Sequence, residues 1–285
     1  MGIQFKNVSH EYVGIKTKDE AIININLNIE GSGEFIAILG HTGAGKSTLV
    51  QHMNALLLPT SGTLDVFGQI LPPKKRERIN YLRQKVGLVF QFPEYQLFEN
   101  TIIDDIAFGP KNFKETKANA YENAKKAASM VGISEDLYQK SPFRISGGQM
   151  RRVAVAGILA MNPNILVLDE PTRGLDPLGR DEMMDIFKNI HEKENKTLVL
   201  ITHDMDIVSK YAKRVVVLKE GKIVFDGKKE ELFIHPNFKD FNLDLPTPLK
   251  ILKYLEEKLG IPFEPKYSKE ELVEYLKEAK LWIIK

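Results

Sequence analysis

From Ile23 to Ile29 apolar and polar residues alternate with a period of two: Ile23, Ile25, Leu27 and Ile29 are separated by Asn24, Asn26 and Asn28. That period predicts a half-buried strand in an antiparallel sheet with one wet face. Ile3–Val8 and Thr63–Phe67 predict further strands beside it, bounded by Gly and polar turn residues. A second pattern follows. Phe35–Leu39, Val86–Phe90, Ile165–Leu168, Leu198–Ile201 and Val215–Leu218 are short continuous apolar runs, as expected of parallel strands buried on both faces. Helices predicted at Lys46–Ala55 and Leu178–Lys193 supply the crossovers that parallel pairing requires. The fold class read from the pattern is α/β, a mostly parallel sheet with an N-terminal antiparallel β-layer.

Between about residues 100 and 160 the alternation stops. Thr101–Phe108, Thr116–Val131 and Gly147–Met161 all carry helical spacing without a strong strand between them, which predicts a helical subdomain inserted between two core strands. The first domain is read as residues 1–236. Beyond it Pro236, Pro246 and Pro248 punctuate a loop, and helical spacing returns at Ile251, Leu255 and Leu259. Ser268 and Glu271 form a capping box with Tyr267 and Leu272 as its staple, so a last helix is expected from about Lys269, with Leu272, Leu276 and Ala279 on one face. Residues 237–285 are read as a folded C-terminal extension whose apolar stripes need a partner surface, either its own small core with the first domain or the equivalent tail of a second subunit, and the dimerisation role is the one expected.

At 285 residues the chain has room for about two domains. Its 43% hydrophobic and 27% charged residues exclude a wholly disordered chain. A net charge of +2 points to neither a dedicated nucleic-acid binder nor a polybasic membrane binder. With no cysteine, disulfides, Cys-ligated metal and thiol nucleophiles are excluded. The longest apolar run, Val153 to Met161, is about half of the ~20 residues a spanning helix needs. The N-terminus lacks an apolar signal core, and Lys6 occupies the position where a myristoylation motif has Ser or Thr. Membrane association is therefore expected only through a partner.

The chemistry concentrates in three places. Directly after Phe35–Leu39 comes Gly40-His41-Thr42-Gly43-Ala44-Gly45-Lys46-Ser47-Thr48, which matches GxxxxGK[ST] in the strand-to-helix context that a P-loop needs. Its glycines let backbone N–H groups turn toward phosphate oxygens at a helix N-terminus. Lys46 is expected to reach the β- and γ-phosphates, Ser47 to ligate Mg²⁺ and Thr48 to contact phosphate. Secondly, the run Ile165–Leu168 ends in Asp169-Glu170, two carboxylates where open α/β sheets bind ligands. Asp169 is read as the metal carboxylate and Glu170 as the base that polarises an attacking water; a solvated strand end is the plainer reading of such a pair in isolation. Thirdly, Ile145-Ser146-Gly147-Gly148-Gln149 precedes an apolar helix, with Ser146 as its N-cap and free amides behind it.

Ile145–Gln149 resembles the LSGGQ signature of ATP-binding cassette (ABC) ATPases, with Ile in place of Leu. The resemblance runs from Ile3 to about Phe233 and implies roles for residues that spacing alone does not single out. Gln91 looks like the Q-loop glutamine that senses metal and attacking water, His203 like the switch histidine at the γ-phosphate, and Gly174-Leu175-Asp176 like the D-loop that meets an opposite subunit. Tyr12 resembles the aromatic that stacks on adenine. Gln51-His52-Met53-Asn54, the stretch from Val89 to Phe98, Ala107-Phe108-Gly109-Pro110 and the tail segment Leu243-Asp244-Leu245-Pro246 resemble the ATPases of energy-coupling-factor (ECF) importers of vitamins or cobalt and nickel ions. That implies ATP and Mg²⁺ as ligands and a head-to-tail dimer, with itself or a sister ATPase. It also implies an integral membrane coupling subunit docked near Phe92–Phe98, a small membrane substrate-binding subunit, and residence at the cytoplasmic face of the membrane. Direct nucleic-acid binding is not expected. The alternatives are the ATPase of another ABC importer class and a soluble ABC ATPase acting on nucleic acid.

Overall fold

The computed structural model describes residues 2–13, 18–73, 79–113 and 116–283. Among them the strands are β1 (Ile3–Val13), β2 (Lys18–Ile29), β3 (Phe35–Leu39), β4 (Ser61–Val66), β5 (Gln69–Leu71), β6 (Val86–Val89), β7 (Ile165–Asp169), β8 (Thr197–Ile201), β9 (Arg214–Lys219) and β10 (Lys222–Lys228). The helices are α1 (Lys46–Met53), α2 (Leu82–Lys85), α3 (Ile102–Asn112), α4 (Lys117–Met130), α5 (Gly147–Leu159), α6 (Pro177–Glu194), α7 (Met205–Tyr211), α8 (Lys229–Phe233), α9 (Thr247–Leu259) and α10 (Lys269–Ile283).

The apolar runs form one sheet in the order β10-β9-β3-β8-β7-β6. Its pairs are parallel from β9 to β6, and β10 closes one edge antiparallel. Strands β3 and β8 are buried at every position, which is why their sequences do not alternate. The edge strand β10 alternates between exposed and half-buried positions, a pattern that its short run of mixed residues does not announce in sequence. A second, antiparallel sheet has the order β2-β1-β4-β5. Two apolar clusters result, one between the sheets around α1 and one joining the other face of the main sheet to the helices.

The alternation read from Ile23 to Ile29 breaks at Asn24. This residue has φ 50°, and the β1–β2 register shifts between the Val8–Ile25 and His10–Ile22 pairs. Such a bulge swaps the inward parity, so Ile22, Ile25, Leu27 and Ile29 are the buried positions and Ile23 is only partly covered.

Helices α3, α4 and α5 lie between the neighbouring strands β6 and β7, as expected for an inserted helical subdomain. Thr101 caps α3 and Thr116 caps α4. Asp104 of α3 receives Tyr121 of α4 and Lys111, tying the two helices together.

The tail folds against the main body. Phe241, Leu249 and Leu252 are buried, and Ser209 Oγ donates to the Tyr267 carbonyl at 2.7 Å. The capping box at α10 forms with one change: Glu271 N donates to Ser268 Oγ, while the Glu271 carboxylate reaches back to Tyr267 N. The stripe that α9 packs inward is Leu249–Leu252. Ile251 and Leu259 face solvent and Leu255 is half-buried, so the regular spacing of these three marks an outer face. Leu272 is buried and Leu276 half-buried; the Ala279 side chain lies outside the described residues.

Candidate nucleotide site

The carboxyl ends of β3, β8, β7 and β6 lie side by side because these strands are parallel neighbours, the edge at which open α/β sheets hold ligands. Each end delivers one sequence motif: Gly40–Thr48, Thr202-His203, Asp169-Glu170 and Gln91. A cleft of about 1020 Å³ opens there, lined by Gly40, His41, Thr42, Lys46, Glu170 and His203 among others.

The loop after β3 folds as its glycines require. Gly45 has φ 98° and caps α1, and a Cβ on it would stand 2.3 Å from the Ala21 carbonyl oxygen. Gly40, at φ 145°, would meet the Leu218 carbonyl oxygen at the same distance. Lys46 Nζ donates to the carbonyls of Gly40 (2.7 Å) and His41 (2.9 Å), which holds its charge over the loop mouth. Burial lowers the Lys46 pKa, and the charges of Glu170 and Asp169 partly oppose that.

Asp169 is half-buried, and burial followed by the adjacent Glu170 charge pushes its pKa up, with Lys46 and a hydrogen bond from Ser47 opposing. Ser47 hydroxyl and Asp169 carboxylate are thus brought together as a pair of hard oxygen donors. Among the described residues no cluster of three or more His, Asp or Glu is built for a metal. Two oxygen donors beside a phosphate-binding loop fit Mg²⁺, which keeps waters and shares phosphate oxygens instead of filling an all-protein cage.

Glu170 sits at φ 50°, its N–H donating to the Ile201 carbonyl at 2.9 Å. Its carboxylate accepts from His203 Nδ1 at 2.8 Å. The imidazole is mostly exposed, whereas Glu170 is nearly enclosed, so His203 is the solvent-facing member of the pair. Gln91 is turned aside: its side-chain amide faces the Arg173 guanidinium, and the amide orientation that satisfies both groups puts its oxygen toward Nε and Nη1. It therefore reaches the cleft through Arg173, which lines it.

Tyr12 is half exposed, and its hydroxyl shares a 3.3 Å hydrogen bond with Thr48 Oγ1. His10 meets its ring edge-on, and His52 meets His10. Ala44 is wholly buried beneath the loop. Asp176 caps α6 through Gly179 N at 2.7 Å, just beyond Gly174 and Leu175, which line the cleft.

Ser146, Gly147, Gly148 and Gln149 are not among the residues lining the cleft. Ser146 and Gln149 complete a capping box at the start of α5. Ser146, Gly147 and Gly148 are exposed, with open space around both glycines.

Sequence reasoning missed the brace behind the site. Arg151 of α5 is 4% exposed and grips Glu94 with two hydrogen bonds, Nε to Oε2 at 3.0 Å and Nη2 to Oε1 at 2.7 Å. Its Nη1 donates to the carbonyls of Pro171 (3.3 Å) and Arg173 (2.7 Å). One guanidinium thus joins the segment after Gln91, the helix after the signature and the turn after Glu170. Arg180, Asp204 and Asn242, which also line the cleft, were equally silent, and Leu243-Asp244, marked by resemblance alone, carried no sign that they line it too.

Residues 22–173 match the family model for ABC transporters. The chain belongs to the ATP-binding subunits of ABC transporters. Within that family it is of the energy-coupling-factor type: it is 48% identical to an energy-coupling factor transporter ATP-binding protein EcfA2 of Bacillus licheniformis over 268 residues, 93% of this chain and 92% of the relative. It is 48% identical to the EcfA2 protein of Latilactobacillus sakei over 282 residues, 98% and 96% of the two chains. Among solved structures it resembles cbiO1 of Clostridium perfringens, part of the ABC transporter complex cbiONQ, at TM-score 0.72 and 34% identity over 90% of this chain and 95% of that one. It also resembles the dimeric cassette MJ0796 bound to ADP and Pi, at TM-score 0.70 and 31% identity over 79% and 98%. The chain is thus an ABC ATPase, with hydrolysis of ATP coupled to transport. No helix among the described residues is long and apolar enough to cross a membrane.

Proposed function

We propose that this ECF-type ATPase works as one half of a head-to-tail dimer that energises uptake of a vitamin or of cobalt or nickel ions. The observation that carries the dimer is the separation of Ser146–Gln149 from the cleft: the helix end that would close a phosphate cage lies outside the pocket lined by Lys46, Glu170 and His203. The cage is completed when the signature turn of a second subunit, a copy or a sister ATPase, covers the cleft.

In that site Tyr12 stacks on adenine and the loop amides with Lys46 neutralise phosphate charge. Ser47 and Asp169 would hold Mg²⁺, which supplies charge neutralisation at the phosphates when bound. Glu170 orients and deprotonates the attacking water, Gln91 senses it, and His203 leaves Glu170 to contact the γ-phosphate. Asp176 and the D-loop meet the opposite subunit.

Membrane attachment is assigned to an integral coupling subunit seated on the exposed aromatics Phe92, Tyr95, Phe98 and Phe108, accompanied by a small membrane subunit that binds the substrate. This puts the ATPase at the cytoplasmic face. The family resemblance and the cbiONQ neighbour support this reading. Purification of the tagged chain from membranes tests it: recovery of two integral membrane proteins is expected, and recovery of a soluble substrate-binding protein in their place would overturn it.

The outward stripe Ile251, Leu255 and Leu259 supports a second role, holding two subunits together through their tails when ATP is absent. Deletion of residues 237–285 is expected to dissociate the nucleotide-free dimer while leaving ATP binding intact. Equal dimer fractions by sedimentation would leave the tail as a structural cap.

A further inference from the structure

The turn that carries His203 is gripped from two directions. Within it, Asp204 N donates to Thr202 Oγ1 at 3.1 Å, and Asp204 Oδ1 accepts from Asp206 N (3.0 Å) and Ile207 N (3.2 Å). From α6, directly behind Asp176, Arg180 Nη1 donates to Asp204 Oδ2 at 2.7 Å. From the tail, Thr247 donates twice to Asp206, its N–H to Oδ1 at 2.6 Å and its hydroxyl to Oδ2 at 2.8 Å. The imidazole of His203 itself hangs in the cleft, and among the described residues its hydrogen-bond partner is Glu170. Its reach is therefore set by the backbone of a turn whose two anchors belong to other elements.

We propose that Arg180 and Asp206 are positioning residues for His203, through which the D-loop helix and the tail jointly set how far the imidazole extends over the phosphates. The inference rests on the assignment of His203 to the γ-phosphate. It gives the tail a consequence for turnover that is separate from holding subunits together. The geometry also explains why the tail crosses the cleft edge at Asn242–Asp244 before α9 begins: that path brings Thr247 onto Asp206.

The test uses the full-length chain and steady-state ATPase kinetics, with His203→Ala, Asp206→Ala and Asp206→Asn. Asn keeps an oxygen for Thr247 N and an amide donor for the Thr247 hydroxyl, so it preserves both contacts; Ala removes both. A misplacement of about 1 Å can cost about 10²-fold, and a shift of about half that corresponds to about tenfold. Asp206→Ala is expected to lower kcat about tenfold with KM for ATP within about twofold and an unchanged dimer fraction, and Asp206→Asn to restore kcat to within about twofold. A kcat for Asp206→Ala within about twofold of wild type, or Asp206→Asn as impaired as Asp206→Ala, would overturn the proposal. Should Asp206→Ala fail to fold, Thr247→Val, which removes the hydroxyl bond alone, is expected to lower kcat about threefold at unchanged KM; no drop overturns the proposal as well. If His203→Ala retains turnover, the assignment of His203 fails instead, and the two failures stay distinguishable.

Discussion

Replacing Arg151 with Met removes a cation that three separate segments share and leaves Glu94 in place with 13% exposure. Burial works against ionisation of Glu94, and the Arg151 hydrogen bonds and charge more than offset it, so the Glu94 pKa lies below the ordinary carboxylate value. Without Arg151 the burial cost stands alone. An unpaired charge at such a site costs about 3–5 kcal/mol, and the Pro171 and Arg173 carbonyls lose their donor besides. Arg151→Met is therefore expected to lower unfolding free energy by about 3–5 kcal/mol in urea titration at pH 7. The sign of the pH dependence follows. In the variant the folded-state pKa of Glu94 lies above its unfolded value, so stability falls as pH rises through it, and the deficit against wild type is smaller near pH 4 than at pH 7. Adding Glu94→Gln takes the stranded charge away and should recover about 2 kcal/mol at pH 7. A single-variant loss under about 1 kcal/mol, or no recovery in the double variant, would refute the brace.

Two further outcomes are expected. Glu170→Gln should keep ATP binding and lose about 10²–10⁴-fold in turnover, the usual worth of general-base assistance; near wild-type hydrolysis would remove Glu170 from that role. Asp104, held to a pKa of about 2 by the Thr101 and Tyr121 hydrogen bonds with Lys111 beside it, contributes stability that is full above its unfolded pKa and fades as pH falls through about 2. Because Asp104 is a third exposed, Asp104→Asn should cost about 1 kcal/mol at neutral pH, and the gap to wild type should close in acid; a gap constant from pH 7 to about 2 would remove the charge from the explanation.

Local motifs were legible because their chemistry is contiguous. Phe35–Thr48 carries its own strand, turn and helix start, and the structure forms all three in place. The buried strands were legible because burial on both faces leaves unbroken apolar runs. What the sequence hid depends on distant or conformational events. Arg151 and Glu94 are 57 positions apart, and no periodicity connects them. Asn24 looks like one more polar member of an alternation until its positive φ inverts the inward face. In α9 the even spacing of Ile251, Leu255 and Leu259 asks for a partner surface without saying which, and only the fold shows that Leu249 and Leu252 take the positions against the cassette. Gln91 was found by resemblance, but its contact with Arg173 belongs to the folded chain alone.

The central claim is that each ATP site is shared between two subunits, and mixing two crippled variants tests it most directly. Lys46→Ala removes the phosphate counter-charge from one half-site, and Ser146→Arg blocks the signature end of the other. A mixed dimer of the two carries one site with both lesions and one site with neither. The ATPase rate should therefore rise from near zero for each variant alone to a maximum near equal proportions. Once mixed dimers are shown to form, a rate that stays flat across all mixing ratios would contradict the shared site.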